Sequence, residues 1–310
     1  MAALLDVILP VFLVIGFGYV AARSRYMSES AVDSLLHFAQ NVAVPCLLFL
    51  AIWRIDLGAD FDGGLLASFY GGAFAGFALG FLGGRFLFRR SLTDSIAIGF
   101  CGFFSNTVLL GLPITERAYG SAALVHNYAI LSIHALVTYG FGITAMELAR
   151  AGAGGGRHLA RKVATLMLRN PLLIGILLGL AFNLSGAPLP GVAISALETL
   201  AAAALPAALF ALGGVLSRYR PEGDRLAIAW VTGVSLLAHP AVTWLLASRV
   251  FALDSGQLRS AVLTAAMAPG LNTYLFANMY GAARRVAASS VLVATALSIA
   301  TIWFWLAILP

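Results

Sequence analysis

The chain has little charge. Asp, Glu, Lys and Arg together make up 10% of its 310 residues, whereas apolar residues make up 61%. Soluble domains average about a quarter charged residues. A water-soluble protein of this length cannot bury so much apolar surface, so the composition excludes a soluble globular domain. It predicts an integral membrane protein.

The sequence also lacks the motifs of several enzyme and pump classes. It contains no H-E-x-x-H, no G-x-S-x-G and no nucleotide-binding P-loop, and its five histidines lie in four different segments. A metalloenzyme needs clustered ligands, and ATP-driven transport needs a phosphate-binding loop. We therefore expect no enzyme, no ATP-driven pump, and no metal or other cofactor.

Cysteine is scarce, since only Cys46 and Cys101 are present and both fall within apolar runs. This placement argues against a disulfide framework. The N-terminal run carries Asp6 and has no basic leader, which favours a first membrane span over a cleaved signal peptide.

What the chain does contain is a series of apolar segments, each close to the roughly 20 residues that cross a bilayer. They predict an all-α protein with ten transmembrane helices: 4–22, 31–53, 64–88, 94–117, 121–149, 166–185, 191–216, 225–247, 259–281 and 285–308. A Gly-rich basic linker at 150–165 divides the chain into halves at 1–149 and 166–310.

The basic residues test this count of spans. Loops that follow odd-numbered spans hold all but four of the 19 lysines and arginines; the four exceptions are Arg54, Arg117, Arg249 and Arg259. The positive-inside rule then places both termini outside the cytoplasm. Because these cations lie in short loops rather than on one face or tail, the net charge of +6 does not indicate nucleic-acid binding.

The two halves of the chain contain matching motifs in corresponding spans. A P-x-x-L-F pattern begins at Pro45 in the second predicted span and again at Pro206 in the seventh, 161 residues later. An Asn-Thr pair begins at Asn106 in the fourth span and at Asn272 in the ninth, 166 residues later. Since each half has five spans, the second half enters the membrane from the opposite side. This predicts two inverted five-helix repeats, a common plan of secondary transporters.

Polar residues and helix breakers lie near the middle of the fourth and ninth spans. These are Ser105, Asn106 and Thr107, followed by Pro113, in the fourth span, and Pro269, Gly270, Asn272 and Thr273 in the ninth. Irregular backbone at this depth is tolerated only where it is buried in protein or lines a wet cavity. Each break would create a half-helix N-terminus carrying about half a positive charge. Two such ends favour an anion such as a carboxylate, and the opposing carbonyl ends could hold a cation.

Five stretches in order, spread over nearly the whole chain, resemble the auxin efflux carrier family, which includes plant auxin exporters and bacterial carriers described as malonate transporters. They are "AVPCLLF", "SNTVLLGLPI", "RNPLLIGILLGL", "AALFALGGVL" and "YLFANMYG". The resemblance implies a scaffold part and a transport part, crossing helices four and nine, and homodimers. It also gives Asn106 a substrate role, because the family has an asparagine at this crossover. The plant exporters have proline directly before it, where this chain has Ser105.

Other residues are candidates with competing roles. Asn41 lies one turn before Pro45 and could face the same centre. Pro45 and Pro206 are expected to kink their helices. His126 and His134 could couple transport to protons or sit in a polar seam between helices. For the asparagines, the alternative is a hydrogen bond between helices, which contributes about 1 kcal/mol in membranes.

These observations predict a secondary transporter that moves a small organic acid anion, malonate-like or auxin-like, by alternating access. The alternative is a cation-coupled symporter or antiporter for another small metabolite. No Asp or Glu lies at the estimated centre of any span. Coupling to protons through histidine, to sodium through carbonyls, or to the membrane potential alone therefore stays open.

Overall fold

The computed structural model describes residues 2–56, 58, 61–151, 164–165, 168–220 and 224–310, with side chains left out for 2–5 and 151. Most of the predicted linker 150–165 lies outside these residues. Within the described ranges the regular secondary structure is helical, and the β-structure is a single isolated bridge. The prediction of an all-α protein is therefore confirmed.

The helices are labelled here in chain order. They are α1 Ala2–Arg23, α2 Glu29–Arg54, α3 Gly63–Leu87, α4 Leu92–Phe103, α5 107–119, α6 Ser121–Arg150, α7 Pro171–Ser185, α8 Gly191–Leu216, α9 Arg225–Val250, α10 Ser255–Ala265, α11 Leu271–Tyr280 and α12 Arg284–Ile308.

Seven of these helices, α1, α2, α3, α6, α8, α9 and α12, are long and apolar enough to cross a membrane. Their bounds lie close to those of seven predicted spans. The fourth and ninth predicted spans are each split into two helices, α4 with α5 and α10 with α11.

The sixth predicted span is corrected. The sequence predicts a helix from residue 166, but α7 begins at Pro171 and has 15 residues. Asn170 has extended backbone and its side chain accepts a hydrogen bond from the N–H of Leu172 at 3.0 Å. Proline has no N–H and suits the first helical position, so it starts α7 here instead of lying inside a longer helix.

Several intramembrane prolines follow a π-helical turn. Pro45, Pro113 and Pro240 each occupy the second position after such a turn, at Ala39–Ala43, Thr107–Gly111 and Val234–Ala238. A proline leaves the carbonyl four residues earlier without its helical donor. The carbonyl of Leu236, freed by Pro240, accepts a bond from the Trp305 ring N–H at 3.0 Å. Helix packing thus replaces the backbone bond that proline removes.

The helices pack into two groups. Helices α1, α2, α7 and α8 pack mainly on one another, and α3 to α6 with α9 to α12 form the second group. Glycine permits the closest approaches within the first group. A Cβ on Gly213 of α8 would clash with the carbonyl of Ile15 in α1, and one on Gly175 of α7 would lie 2.5 Å from the carbonyl of Pro45.

Contacts between loops show which chain segments share an end of the helix bundle. At the cation-rich end the pairs are Arg90 with Asp224 and Arg218 with Asp33. At the other end the side chain of Arg54 pairs with Glu198, that of Arg117 donates to the carbonyl of Asp6, and that of Arg259 donates to the carbonyl of Pro310. Both chain termini therefore lie at the end with few cations. Exposed ion pairs of this kind stabilise a fold only weakly.

Candidate functional site

The break between α4 and α5 is short. Helix α4 ends at Phe103, and Phe104 leaves the helical conformation with φ −102° and ψ 89°. Asn106 is the N-cap of α5, and its side-chain oxygen accepts a hydrogen bond from the N–H of Leu109 at 3.3 Å. A capping asparagine satisfies one of the N–H groups that the first turn of a helix leaves unpaired.

The break between α10 and α11 is longer and uses different residues. It runs from Ala266 to Gly270, with Pro269 near its end. Gly270 is the N-cap of α11 with φ −70° and ψ 160°, and no side chain caps this helix. The N–H groups of Leu271 and Asn272 have no intrahelical acceptor because they lie in the first turn.

The two breaks are hydrogen-bonded to each other. The N–H of Asn106 donates to the carbonyl of Ala268 at 2.8 Å, and the N–H of Gly270 donates to the carbonyl of Phe104 at 3.1 Å. These bonds form an antiparallel bridge between Ser105 and Pro269. The helices therefore cross at their interruptions, which brings the N-termini of α5 and α11 side by side. Two of the carbonyls at the preceding helix ends are used by the bridge itself.

A small cavity of about 50 Å³ lies beside this crossing, here called the crossover cavity. Its polar lining comes from Asn106, Thr107, Asn272, His134 and Gln40. The rest of the lining is apolar and includes Val44, Leu48, Phe104, Leu131 and Ile176. An apolar pocket with a few converging polar groups is typical of a small-molecule site.

A second cavity of about 260 Å³ adjoins the first, since Gln40, Ala135, Leu172 and Asn272 line both. Its further polar lining comes from Asn41, Tyr139 and Asn170. Asn170 precedes α7, and Met279 of the lining lies near the end of α11. This adjoining cavity therefore extends from the crossing toward the cation-rich end of the bundle.

A cavity of about 700 Å³ lies on the opposite side, and its lining includes the charged residues Arg54, Glu116, Arg117 and Glu198. Among the described residues, none lines both this outer cavity and the crossover cavity. A buried layer of five leucines joins the two linings: Leu48, Leu109 and Leu131 line the crossover cavity, and Leu112 and Leu124 line the outer cavity. The crossing is thus separated by apolar side chains from one end of the bundle and adjoins a cavity toward the other.

A sequence model of the family described as membrane transport protein matches residues 3–154 and 156–306, nearly the whole chain. The chain belongs to the membrane transport protein family. The resemblance to the auxin efflux carriers is thereby confirmed, and the protein is a transporter and not an enzyme.

Three curated relatives agree with this assignment. A protein of Rhizobium meliloti (strain 1021), provisionally named a malonate transporter, is 28% identical over 308 residues, covering 97% of this chain and 94% of its own. An uncharacterized transporter of Methanothermobacter thermautotrophicus is 28% identical over 239 residues, covering 76% of this chain and 75% of its own. The uncharacterized transporter YfdV of Escherichia coli (strain K12) is 23% identical over 303 residues, covering 96% and 95%.

The transporter brings four of the predicted site residues together around the crossover cavity. These are Asn106, Thr107, Asn272 and His134. Asn41 lines the adjoining cavity instead, and its side-chain amide donates to the carbonyl of His37 at 2.9 Å.

Ser105 and Thr273 lie in the crossing but outside the lining of the crossover cavity. Ser105 contributes its backbone to the bridge, and its buried hydroxyl has no hydrogen-bond partner in the described structure. The buried hydroxyl of Thr273 donates to the carbonyl of Gly270 at 2.7 Å. Both positions therefore support the crossing rather than face the cavity.

The remaining predicted residues lie elsewhere. Pro113 and Pro206 line the outer cavity, and Pro45 packs against α7. The ring of His126 lies beside Gly256 at the start of α10, away from the crossing. The structure thus separates the two histidines that the sequence groups as candidates for proton coupling.

Sequence reasoning missed Gln40, Tyr139 and Asn170, which line the cavities of the transporter. Gln40 directly precedes the predicted Asn41. Since the π turn at Ala39–Ala43 alters the angular position of both side chains, the regular helical period does not identify which of them faces the crossing. Asn170 precedes Pro171, a pattern that predicts a helix start but not a cavity lining.

Proposed function

We propose that the protein is a secondary transporter that moves a small organic acid anion across the bacterial inner membrane by alternating access. In this proposal its helices form ten spans arranged as two inverted five-helix repeats. The broken pairs α4–α5 and α10–α11 each count as one span, and α7 is the short sixth span. The cation-rich end would face the cytoplasm and both termini the periplasm, following the positive-inside rule.

The observation that carries the proposal is the meeting of two helix N-termini beside an otherwise apolar cavity. The unpaired first-turn N–H groups of α11 and the dipoles of both helices favour an anion at this place. Asn106, Thr107 and Asn272 contribute uncharged polar side chains at the same place. A carboxylate bound there would accept hydrogen bonds from both halves of the chain. The name of the Rhizobium meliloti relative supports a malonate-like acid.

The two packing groups supply the moving parts. Helices α1, α2, α7 and α8 would form the scaffold, and the group that contains the crossing would move against them. The leucine layer closes the route from the crossing to the outer cavity. Because both groups contribute leucines to this layer, a relative shift would separate them and expose the crossing to the outer end instead.

Uptake of labelled carboxylic acids into proteoliposomes tests the proposal. The panel should contain malonate, longer dicarboxylates and aromatic monocarboxylates, with an imposed membrane potential. We expect saturable uptake of at least one acid. Failure of every acid in the panel to cross with folded protein would contradict the proposal.

The Asn106→Ala variant connects this flux to the crossing. Loss of an asparagine cap costs about 1 kcal/mol, and loss of a hydrogen bond to a charged group costs about 1.5–3 kcal/mol. We therefore expect uptake at subsaturating acid to fall at least about tenfold. The matched control is Asn278→Ala, an exposed asparagine on α11 that lines neither cavity at the crossing. Equal uptake by the two variants would place the site elsewhere.

The alternative, a cation-coupled carrier for another metabolite, has one observation in its favour. The fully buried amide of Asn127 in α6 donates to the hydroxyls of Thr115 in α5 and Thr264 in α10, at 3.3 and 2.7 Å. The amide oxygen of Asn127 has no partner in the described structure. The amide oxygen of Asn127 and the hydroxyl oxygens of Thr115 and Thr264, which come from both interrupted spans, could bind a sodium ion. Uptake that requires a sodium gradient, and loses that requirement in Asn127→Leu, would favour this alternative.

A further inference from the structure

The crossover cavity and the cavity that adjoins it contain no full charge. Of the described residues that line them, none is Asp, Glu, Lys or Arg. Arg54 and Arg117 line only the outer cavity, beyond the leucine layer. An anion at the crossing therefore has no cationic side chain to neutralise it in a low-dielectric setting, where an unpaired buried charge is costly.

The positive potential at the crossing comes from the two helix N-termini. Each helix N-terminus is equivalent to about half a positive elementary charge, and the N-termini of α5 and α11 lie side by side. Together they balance about one negative charge bound on their side of the crossing. At the opposing helix ends, the carbonyls of Phe104 and Ala268 accept the hydrogen bonds of the bridge. A dicarboxylate dianion would leave a second negative charge without compensation among the described lining residues.

His134 supplies an uncharged partner for a second acid group. It lines the crossover cavity, its side chain is 3% exposed, and neither ring nitrogen has a hydrogen-bond partner in the described structure. Buried polar atoms are seldom left without partners. A neutral imidazole donates through one ring nitrogen and accepts through the other, so it can accept a hydrogen bond from the O–H of a carboxylic acid.

The surroundings of His134 do not favour a charged imidazolium. The ring centroids of Phe104, Phe69 and Tyr70 lie at 4.8, 5.7 and 6.2 Å. The Tyr70 hydroxyl is occupied, since it donates to the carbonyl of Ile130 at 2.8 Å. Other polar or titratable groups on the elements around it are Ser68, His239, Ser105, Tyr139, Gln40 and Asn272. None of these carries a carboxylate that would stabilise a protonated ring.

We infer that the crossing carries its substrate with one net negative charge, so that a dicarboxylic acid is bound and moved as its monoanion. This inference rests on the proposed function and specifies the form of the acid. The ionised carboxylate would face the two helix N-termini, and the protonated carboxyl would donate to His134. The acid takes this proton from water before it binds and returns it after release.

The test compares malonate with its monomethyl ester in proteoliposomes at subsaturating concentration, with pH equal on both sides and the potential clamped. The ester is a monoanion throughout the range above its single pKa. We expect malonate uptake to fall about tenfold per pH unit above the second pKa of malonic acid, because the monoanion fraction falls by that factor. Uptake of the ester should stay constant over the same range.

The other outcomes distinguish failure of the monoanion inference from failure of the proposed function. Constant malonate uptake across this pH range would overturn the inference while leaving the proposed function intact. A parallel fall for malonate and ester would show that a protein group titrates, which also overturns it. If neither compound crosses and no other acid does, the proposed function fails and the inference fails with it.

His134→Gln tests where the proton resides, because glutamine keeps a donor and an acceptor but does not titrate. We expect lower uptake of malonate with the same dependence on pH. Loss of that dependence, with ester uptake unchanged, would place the proton on the imidazole and overturn its assignment to the acid. The comparison of malonate with ester on the unmodified protein decides the inference even if the variant does not fold.

Discussion

The breaks after α4 and α10 both end one helix and begin another at the crossing, but different residues produce them. The break after α4 spans three residues, contains no proline, and is held by the side chain of Asn106. The break after α10 spans five residues, contains Pro269, and begins α11 with an uncapped glycine. One interruption therefore depends on a side-chain hydrogen bond, and the other on a residue that cannot continue a helix. Equivalent substitutions in the two breaks should have different effects.

The largest effect is expected from Pro269→Ala. Alanine restores an N–H and relieves the restriction on Ala268, so α10 can extend into the break. We expect uptake of the transported acid to fall about tenfold, and the free energy of unfolding to change by only about 0.4–1 kcal/mol. Initial uptake rates and thermal unfolding in detergent measure the two quantities.

The control for this change is Pro188→Ala, in the exposed loop before α8. Its effect on unfolding should be similar and its effect on uptake small. If Pro269→Ala transports as well as this control, the proline is not what maintains the second break.

A smaller effect is expected from Ser105→Pro, which places a proline in the first break as in the second. Unlike Pro269→Ala, this substitution should preserve uptake. The backbone of Phe104 already lies outside the α region, which a following proline disfavours. The change also removes a buried hydroxyl that has no partner. We expect uptake to be retained and the free energy of unfolding to rise by up to about 1 kcal/mol.

Ser105→Ala separates the two contributions, since it removes the hydroxyl without restricting φ. A serine-to-proline variant less stable than the alanine variant would mean that the first break needs a backbone conformation that proline does not allow.

The smallest effect concerns a helix cap outside the membrane, which serves as a reference for Asn106. Asp224 caps α9 by accepting hydrogen bonds from Leu226 and Ala227, and it pairs with Arg90. The hydrogen bond from the backbone of Ala227, with those from Arg90 and Leu226, lowers the pKa of Asp224 below its ordinary 3.8. Its contribution to stability is therefore present above pH 3.8 and is lost as the pH falls through the folded-state pKa.

Asp224→Asn should keep the cap and lose this dependence on pH. Thermal unfolding between pH 3 and 7 compares the variant with the unmodified protein; identical slopes at the acid end would show that the Asp224 charge contributes nothing. Unlike Asp224, Asn106 carries no charge, so its contribution should be independent of pH.

Much of the fold could be predicted from the sequence because lipid as solvent imposes a simple length rule. The third span, predicted at 64–88, is Gly63–Leu87, and the tenth, predicted at 285–308, is Arg284–Ile308. The sixth span was predicted too long because apolar character continues on both sides of Asn170 and Pro171, and composition alone does not locate a cap. The eighth predicted span, 225–247, corresponds to α9, which ends three residues later because a π turn extends it to Val250.

The site was harder to predict because it depends on where side chains point in the folded protein, which the order of residues in the sequence does not specify. Asn106 and Asn272 line one cavity as expected, but the choice between Gln40 and Asn41 depended on a π turn. Ser105, predicted to bind the substrate, supplies backbone to the bridge and lies outside the lining of the crossover cavity. His126 and His134 lie eight residues apart on one helix, yet only His134 reaches the crossing.

The sequence by itself determined that the protein is embedded in a membrane, which segments form most of its helices, and that two spans break near their middles. These properties follow from local composition, since apolar length and residues that cannot continue a helix act on their own neighbourhood. Only the tertiary structure decided that the breaks bond to each other, which polar side chains face the resulting cavity, and which end of the bundle the leucines close. Those outcomes depend on contacts between segments more than 150 residues apart, such as Ser105 with Pro269, and local pattern carries no information about them.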